Sequence, residues 1–397
     1  MATEDPIVIV GAARTPMGGF QGVLKDATAP DLGGVAIRAA IERAGILPDD
    51  VDDVIMGLCL FAGVKQAPCR QAAHIAGIPW SAGATTISKM CGSAMKATML
   101  AHDNILAGSH DIMVAGGMES MSNAPYVALN ARNGYRLGHG DQLKDHMFLD
   151  GLEDAYEEGK LMGSFAEDTA QHYQFTRDDQ DAFAIESLRR AKKAVEDGTF
   201  AAEIEAITIS TRRGEVTVAD DEQPISANVD KIPNLRPAFR KDGTVTAANS
   251  SSISDGGAAL VLMRQSEADK RGLQPLARIR AHATHSQEPN WFTTAPIGSM
   301  EKVMMKAGWC RNDVQLFEVN EAFAVVTMAA MRDLDIPHDQ INIYGGACAL
   351  GHPVGASGAR IIVTLMNALK NTGQTRGIAS LCIGGGEATA VAIEMFH

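Results

Sequence analysis

Ala44-Gly45-Ile46-Leu47-Pro48-Asp49-Asp50-Val51-Asp52-Asp53-Val54-Ile55-Met56-Gly57 returns 263 residues later as Ala307-Gly308-Trp309-Cys310-Arg311-Asn312-Asp313-Val314-Gln315-Leu316-Phe317-Glu318-Val319-Asn320. In both copies Ala-Gly is followed after five residues by Val, after two more by an apolar residue, and after two more by Gly57 or Asn320. The first copy reads as a helix over 32–44, capped by Asp31 and stopped by Gly45, that hands over to a strand over 54–58. A second pair of matches stands in the same order. Val114-Ala115-Gly116-Gly117 and Cys382-Ile383-Gly384-Gly385-Gly386 are each followed within two residues by a glutamate. Two matches in one order predict a duplicated half-domain.

Working outward, residues 7–10 are β-branched and read as a buried strand, with further strands over 85–88 and 112–115 and a helix over 91–107 closed by Gly108. Strands alternating with helices imply an α/β architecture with crossover connections. Between about 122 and 250 the character changes to a loop-like stretch over 130–145 and amphipathic helices over 165–174 and 178–196, which reads as an insertion. The α/β pattern resumes at Leu276. With 397 residues, 46% hydrophobic and 21% charged, the chain is long enough for two or three core units and is neither disordered nor a membrane bundle. Its net charge of -13 argues against general binding to nucleic acid or anionic membranes. Six cysteines, none in a C-x-x-C pair or at zinc spacing with histidine, read as thiols. An acidic start, an end without a peroxisomal signal and the lack of a long apolar run predict a cytoplasmic setting.

Four places can carry chemistry. Cys91, in Ser88-Lys89-Met90-Cys91-Gly92-Ser93, is expected to open a helix, where unpaired N–H groups and the dipole favour thiolate. Gly92 is expected to leave room for substrate, and the Cys91 N–H can help hold an oxyanion. The same stretch also fits a buried structural cysteine. His352 sits among glycines in Gly351-His352-Pro353, a frame suited to presenting an imidazole that takes a proton near neutrality, or else a satisfied turn histidine. Asn320, at a strand-to-helix junction, either aims its amide at a site or caps a helix. Cys382, before three glycines, can serve as an acid or base.

Taken together, C-x-S at 91–93, N-E-A-F at 320–323, G-H-P at 351–353 and C-x-G at 382–384 resemble the motifs of the thiolase family, most closely its acetyl-CoA acetyltransferase branch. Further family-like stretches are Val10-Gly11-Ala12-Ala13-Arg14-Thr15-Pro16, Gly116-Gly117-Met118-Glu119-Ser120-Met121-Ser122, Leu235-Arg236-Pro237-Ala238-Phe239 and Asp255-Gly256-Gly257-Ala258-Ala259, so the resemblance covers essentially the whole chain. It implies two βαβαβαββ halves in an α-β-α-β-α layered body with an inserted loop domain. The first half is expected at 1–121 with 254–274, the loop domain at 122–253 and the second half at 275–397.

The resemblance further implies reversible Claisen condensation of two acetyl-CoA to acetoacetyl-CoA and CoA. Cys91 would be the acylated nucleophile, His352 its base and Cys382 the acid/base at the α-carbon. Asn320 would hold a water that forms one oxyanion hole with His352, and the N–H groups of Cys91 and Gly384 would form the other. Ser251, Ala247, Phe239, Ile253, Leu161, Met162 and Phe292 match positions that line the acyl-pantetheine pocket. Coenzyme A enters as substrate and product, with no tightly bound cofactor or metal, no nucleic acid and no membrane, in a homotetramer or a dimer. Departures include Leu161 in place of a histidine beside the pantetheine, the lack of a clear nucleotide-binding arginine near 223–228, and Glu387 after the last glycines. The alternatives are a degradative 3-ketoacyl-CoA thiolase of broader chain length, a ketoacyl synthase, which Cys382 disfavours, and a silent acyl-CoA-binding scaffold. Phe292, Met162, Met90 and Ala94 predict a pocket for short chains.

Overall fold

The computed structural model describes residues 5–140, 142–211 and 214–396. Residues 1–4 and 397, where the ends were read for targeting signals, lie outside the described residues, as do Asp141 in the expected loop and Arg212 and Arg213.

The first part of the chain forms β1 (Ile7–Arg14), β2 (Gly18–Gly19), α1 (Ala29–Ala44), β3 (Asp53–Gly57), α2 (Pro68–Ile75), β4 (Gly83–Ile87), α3 (Ser93–Leu106) and β5 (Ile112–Ser120). The next stretch holds β6 (Tyr126–Val127), β7 (Lys144–Asp145), α4 (Met162–Tyr173), α5 (Arg177–Glu196), β8 (Ile207–Thr211), β9 (Gly214–Val218) and α6 (Glu222–Ser226). The remainder forms β10 (Ser254–Arg264), α7 (Gln265–Arg271), β11 (Ala277–Ser286), α8 (Ala295–Ala307), β12 (Leu316–Val319), α9 (Ala324–Asp333), α10 (Ala347–Leu350), α11 (Ser357–Thr372), β13 (Arg376–Ile383) and β14 (Glu387–Met395).

The repeated stretch folds identically in both places. Helix α1 ends at Gly45 with φ 72° and α8 at Gly308 with φ 70°, the left-handed geometry that glycine adopts without a side-chain clash. A single 3₁₀ turn follows each, and in each an aspartate accepts from the backbone N–H three residues back: Asp50 from Leu47 at 2.8 Å and Asp313 from Cys310 at 2.7 Å. Then come β3 and β12. The cap of α1 differs from expectation. Thr28 is the N-cap, and Asp31 answers it from the third helical position, accepting the Thr28 N–H at 2.9 Å.

Strand pairing extends the equivalence. The order β1-β10-β5-β3-β4 is matched by β11-β14-β13-β12, with Phe317 of β12 bridging in parallel to Ile341 where β3 pairs β4. In both runs the first two pairings are antiparallel and the next is parallel. The register corrects the second match. Met56 pairs with Gly116, while its equivalent Val319 pairs with Ser380, so Gly116-Gly117 correspond to Ser380-Leu381 and not to the triple glycine. Gly116 lies inside a strand because a Cβ there would meet the carbonyl oxygen of Ala258 at 2.1 Å.

Three apolar cores define the layers. One packs α1 and α2 on the first sheet, a second holds α3 and α11 between the sheets, and a third packs α8 and α9 on the second sheet. Strands covered on both faces carry near-continuous apolar runs, as β5 and β10 do. The two sheets join at β1 and β11 through Val8 opposite Arg278 and Ile9 opposite Ala277. Arg14 anchors the stretch between β5 and β10. Its buried guanidinium donates to Glu203 at 2.5 Å and to both oxygens of Asp221 at 2.7 and 2.9 Å. Among the described residues no helix is long and apolar enough to cross a membrane.

Candidate active site

Cys91 stands between β4 and α3 but does not open the helix. Gly92 is the N-cap and Ser93 the first helical residue. The turn is made by Met90, whose φ of 46° is costly for a side chain of that size, and it is tied by Ser93, which accepts the Lys89 N–H at 2.8 Å and donates to the Met90 carbonyl at 2.6 Å. Gly92 does not serve substrate access. A Cβ there would lie 2.4 Å from Cδ1 of Ile383, so the glycine lets the β13 loop close on the nucleophile's turn. The backbone N–H groups of Gly384 and of Cys91 itself point at the Cys91 sulfur. They stabilise the thiolate, yet burial outweighs them and pushes the thiol up to about 11. The expected low-pKa cysteine is therefore a protonated thiol in the free protein.

His352 follows Gly351, which takes φ 97° and leaves no room for a Cβ against the Ser254 hydroxyl. The ring is buried, and its Nδ1 lies 2.5 Å from the hydroxyl of Ser357. Ser357 donates its own proton to the Pro353 carbonyl at 3.0 Å, so it accepts from Nδ1. That fixes the proton on Nδ1 and leaves Nε2 with a free lone pair, and Nε2 has no partner among the described residues. Burial lowers the imidazole to about 3, so it is neutral at physiological pH.

Asn320 is fully buried and does not cap α9, whose N-cap is Phe323. Its side-chain nitrogen lies 3.5 Å from His352 Nδ1, and its side-chain oxygen has no partner among the described residues. The next residue, Glu321, accepts from Ser187 at 2.7 Å, Asn342 at 2.8 Å and the Cys348 N–H at 3.1 Å, stitching this junction to the chain that leads into the histidine loop. Cys382 ends β13, fully buried. Burial, reinforced by the neighbouring Cys91, holds its thiol well above the ordinary range.

A cavity of about 510 Å³ opens onto this cluster. Cys91, His352 and Gly384 line it, and so do Ser251, Ala247, Phe239, Ile253, Leu161, Met162 and Phe292, all named from the sequence. Asn320 and Cys382 stand outside the lining, buried behind it. Ala94, expected to narrow the pocket, faces the protein instead, where a Cβ on Gly117 would meet it at 2.7 Å. Phe20, Phe148 and Leu152 add apolar wall that the sequence reading missed. It also missed Glu119, which accepts from the N–H groups of Cys59 at 2.9 Å, Leu60 at 3.2 Å and Gly355 at 2.8 Å and is raised by burial to about 7. Its signal was an acid inside an otherwise apolar strand.

The family described as "Thiolase, N-terminal domain" matches residues 7–266, and "Thiolase, C-terminal domain" matches residues 273–395. The chain is 44% identical over 390 residues to the acetyl-CoA acetyltransferase of Chromobacterium violaceum, covering 98% of this chain and 99% of that one. It is 45% identical over 397 residues to a cytosolic acetyl-CoA acetyltransferase of Gibberella zeae, with 99% of each covered. The crystal structure of the Bacillus anthracis acetyl-CoA acetyltransferase superposes with a TM-score of 0.96 at 40% identity, over 99% of both chains.

Proposed function

The chain belongs to the thiolase family, and from that footing we propose how it carries out the acetyl-CoA acetyltransferase reaction. The observation that carries the reading is the meeting of the Cys91 thiol, the unpartnered Nε2 of His352 and the Gly384 N–H at one apolar cavity. His352 Nε2 takes the Cys91 proton as the sulfur attacks the thioester carbonyl of acetyl-CoA. The CoA sulfur leaves with that proton, and Cys91 holds the acetyl group. For the second acetyl-CoA, Cys382 first gives up its own proton to solvent and then, as thiolate, removes one from the α-carbon. The carbanion attacks the acetyl-Cys91 carbonyl. Collapse gives acetoacetyl-CoA and frees the Cys91 thiolate, which takes a proton back, restoring both thiols.

In cleavage the order reverses, and the buried, protonated Cys382 supplies the proton that the departing α-carbon needs. N–H groups aimed at the nucleophile's sulfur are suited to hold the oxyanion of its thioester, and the buried Asn320 amide, with His352 in the form that carries a proton on Nε2, is suited to the other. The cavity lies within the range of small-molecule sites, and its predominantly apolar wall suits an acyl-pantetheine chain. Residues 122–253 act as the loop domain that supplies much of that wall, between halves at 1–121 with 254–274 and at 275–397. The same reading makes coenzyme A a passing substrate without a resident cofactor, and the protein a cytoplasmic homotetramer, with a dimer as the alternative. Strand β4 ends the sheet order, which gives a second copy an edge to meet.

Brief incubation with acetyl-CoA followed by digestion and mass spectrometry tests the core step. The acetyl group is expected on Cys91. Labelling of Cys382 instead, in folded protein, would reverse the two roles.

A further inference from the structure

Two turns meet beside the Cys91 sulfur, one over 89–92 and the other over 384–386, flanked by the paired strand ends Ile383 and Glu387. Ile383 packs on Gly92, and the Gly384 N–H points at the sulfur. Gly385 and Gly386 follow with φ 96° and 94°; the Gly386 carbonyl accepts the Gln287 N–H at 2.8 Å, while a Cβ on Gly385, next to the donor, would meet nothing within 4 Å. The opposing turn carries Met90 in a left-handed conformation that its surroundings must enforce. At the outer margin of both turns the Lys89 ammonium lies 2.5 Å from one carboxylate oxygen of Glu387, and Ser286 donates to the other at 3.1 Å. Lys89 stands two residues before the nucleophile, and Glu387 three residues after the oxyanion donor. Glu387 departs from the family pattern, and the fold pairs it with the nucleophile's own loop.

We propose that Lys89 and Glu387 are positioning residues, whose ion pair clamps the Gly384–Gly386 turn against the turn of Cys91 and so keeps the oxyanion site formed before substrate arrives. The proposal rests on the acetyl-Cys91 reading above. Both side chains are partly exposed, so the pair contributes little to global stability. Its effect belongs in the rate, because small misplacements of reacting groups are costly there.

The test is steady-state thiolysis of acetoacetyl-CoA by the full chain, comparing the unaltered protein with Glu387→Gln, Lys89→Met and the exchanged pair Lys89→Glu with Glu387→Lys. Each single change should lower kcat about 10-fold with KM little altered and melting temperature unchanged, while the exchanged pair recovers most of the loss. Alkylation of Cys91 by iodoacetamide senses the same Gly384 N–H through the thiolate it stabilises, and should slow in both single variants and recover in the exchanged pair. Unaltered kcat in Glu387→Gln would overturn the proposal, and so would additive losses in the exchanged pair. A loss confined to KM for CoA would also overturn it and assign Lys89 to the CoA phosphates. If Lys89→Met or the exchanged pair does not fold, the near-isosteric Glu387→Gln decides through its kcat. An unaltered protein with no thiolysis would remove the acetyl-transfer reading and this proposal with it.

Discussion

The two halves of the molecule share one strand order and one set of pairing directions, yet the connections at equivalent strand ends do different things. After β4 in the first half comes the Cys91 turn and α3; after Ile341, its counterpart, comes the His352 loop and α11. After β3 the chain offers the Cys59 and Leu60 N–H groups that Glu119 holds, whereas after β12 it offers Asn320 and Glu321. The hairpin from β13 to β14 is a short glycine turn preceded by Cys382. Between β5 and β10, the corresponding strands, lies the stretch that supplies much of the cavity wall. Duplication brought equivalent strand ends to one cavity. On the proposed reading, the first half then contributes a nucleophile and a wall, the second a base, an amide and a proton donor.

The strongest way to break that comparison is to alter equivalent positions. By strand register Cys382 corresponds to Met118. Cys382→Ser should cut condensation about 10³-fold, roughly 4 kcal/mol of barrier, while Cys91 still takes up an acetyl group. Met118→Leu should leave kcat within about 2-fold and cost less than about 1.5 kcal/mol in stability. Equal catalytic losses from the two changes would show that position, and not the thiol, is what matters.

The wall-forming stretch depends on its anchor. Arg14→Met leaves Glu203 and Asp221 buried without their guanidinium and should destabilise the protein by about 3 kcal/mol or more in urea unfolding. A change within about 0.5 kcal/mol would mean that the stretch is held by packing alone.

The histidine loop can be examined through its tautomer. Ser357→Ala frees Nδ1 and should lower thiolysis about 10-fold, with smaller loss in substrate binding. In the unaltered protein Cys91 titrates near 11 and His352 near 3, so between pH 6 and 9 neither changes its majority state. Thiolate is the minority form throughout that range, and its fraction rises with pH. Alkylation of the free protein by iodoacetamide should therefore climb about tenfold per pH unit across it. A plateau beginning near pH 7 would reveal a preformed thiolate–imidazolium pair.

The smallest effect concerns the wall itself. Phe292 is buried edge-on against Phe165, with ring centres 6.0 Å apart, and closes part of the cavity. The unaltered enzyme should favour acetoacetyl-CoA, and Phe292→Ala should raise kcat/KM for 3-ketohexanoyl-CoA relative to it by about 5-fold. Equal kcat/KM for acetoacetyl-CoA and 3-ketohexadecanoyl-CoA in the unaltered enzyme would favour the degradative alternative.

What could be read from the sequence was what is local. The Gly45 and Gly308 stops, the strands after them and the four motifs each announce themselves within a few residues. Register does not: Gly116-Gly117 and Gly384-Gly385-Gly386 look alike in one dimension, and only the pairing with β3 and β12 separates them. Thr28 is the cap although Asp31 stands nearer the apolar run, and Pro30 inside the first turn marks the earlier start. Glu119, Ser357 and Glu321 were illegible as supports because their roles lie in their partners. Glu119 reaches both Cys59 and Gly355, and Glu321 both Ser187 and Asn342. The Cys91 thiol was misjudged for a related reason, since helix polarity is written in the local sequence and burial is not.

Strand β10 lies between β1 and β5, and 133 residues separate it from the end of β5. During synthesis, then, the first sheet exists for a time without its middle strand. At ordinary elongation rates the interval is roughly 7 to 27 s, long compared with collapse of a chain this size. For that period the inner edges of β1 and β5 are open to other chains, and the nascent protein is exposed to chaperones and to misassociation. Slowing translation over 121–253 should therefore lower soluble yield more than the same slowing placed after Arg264, once the strand has been delivered.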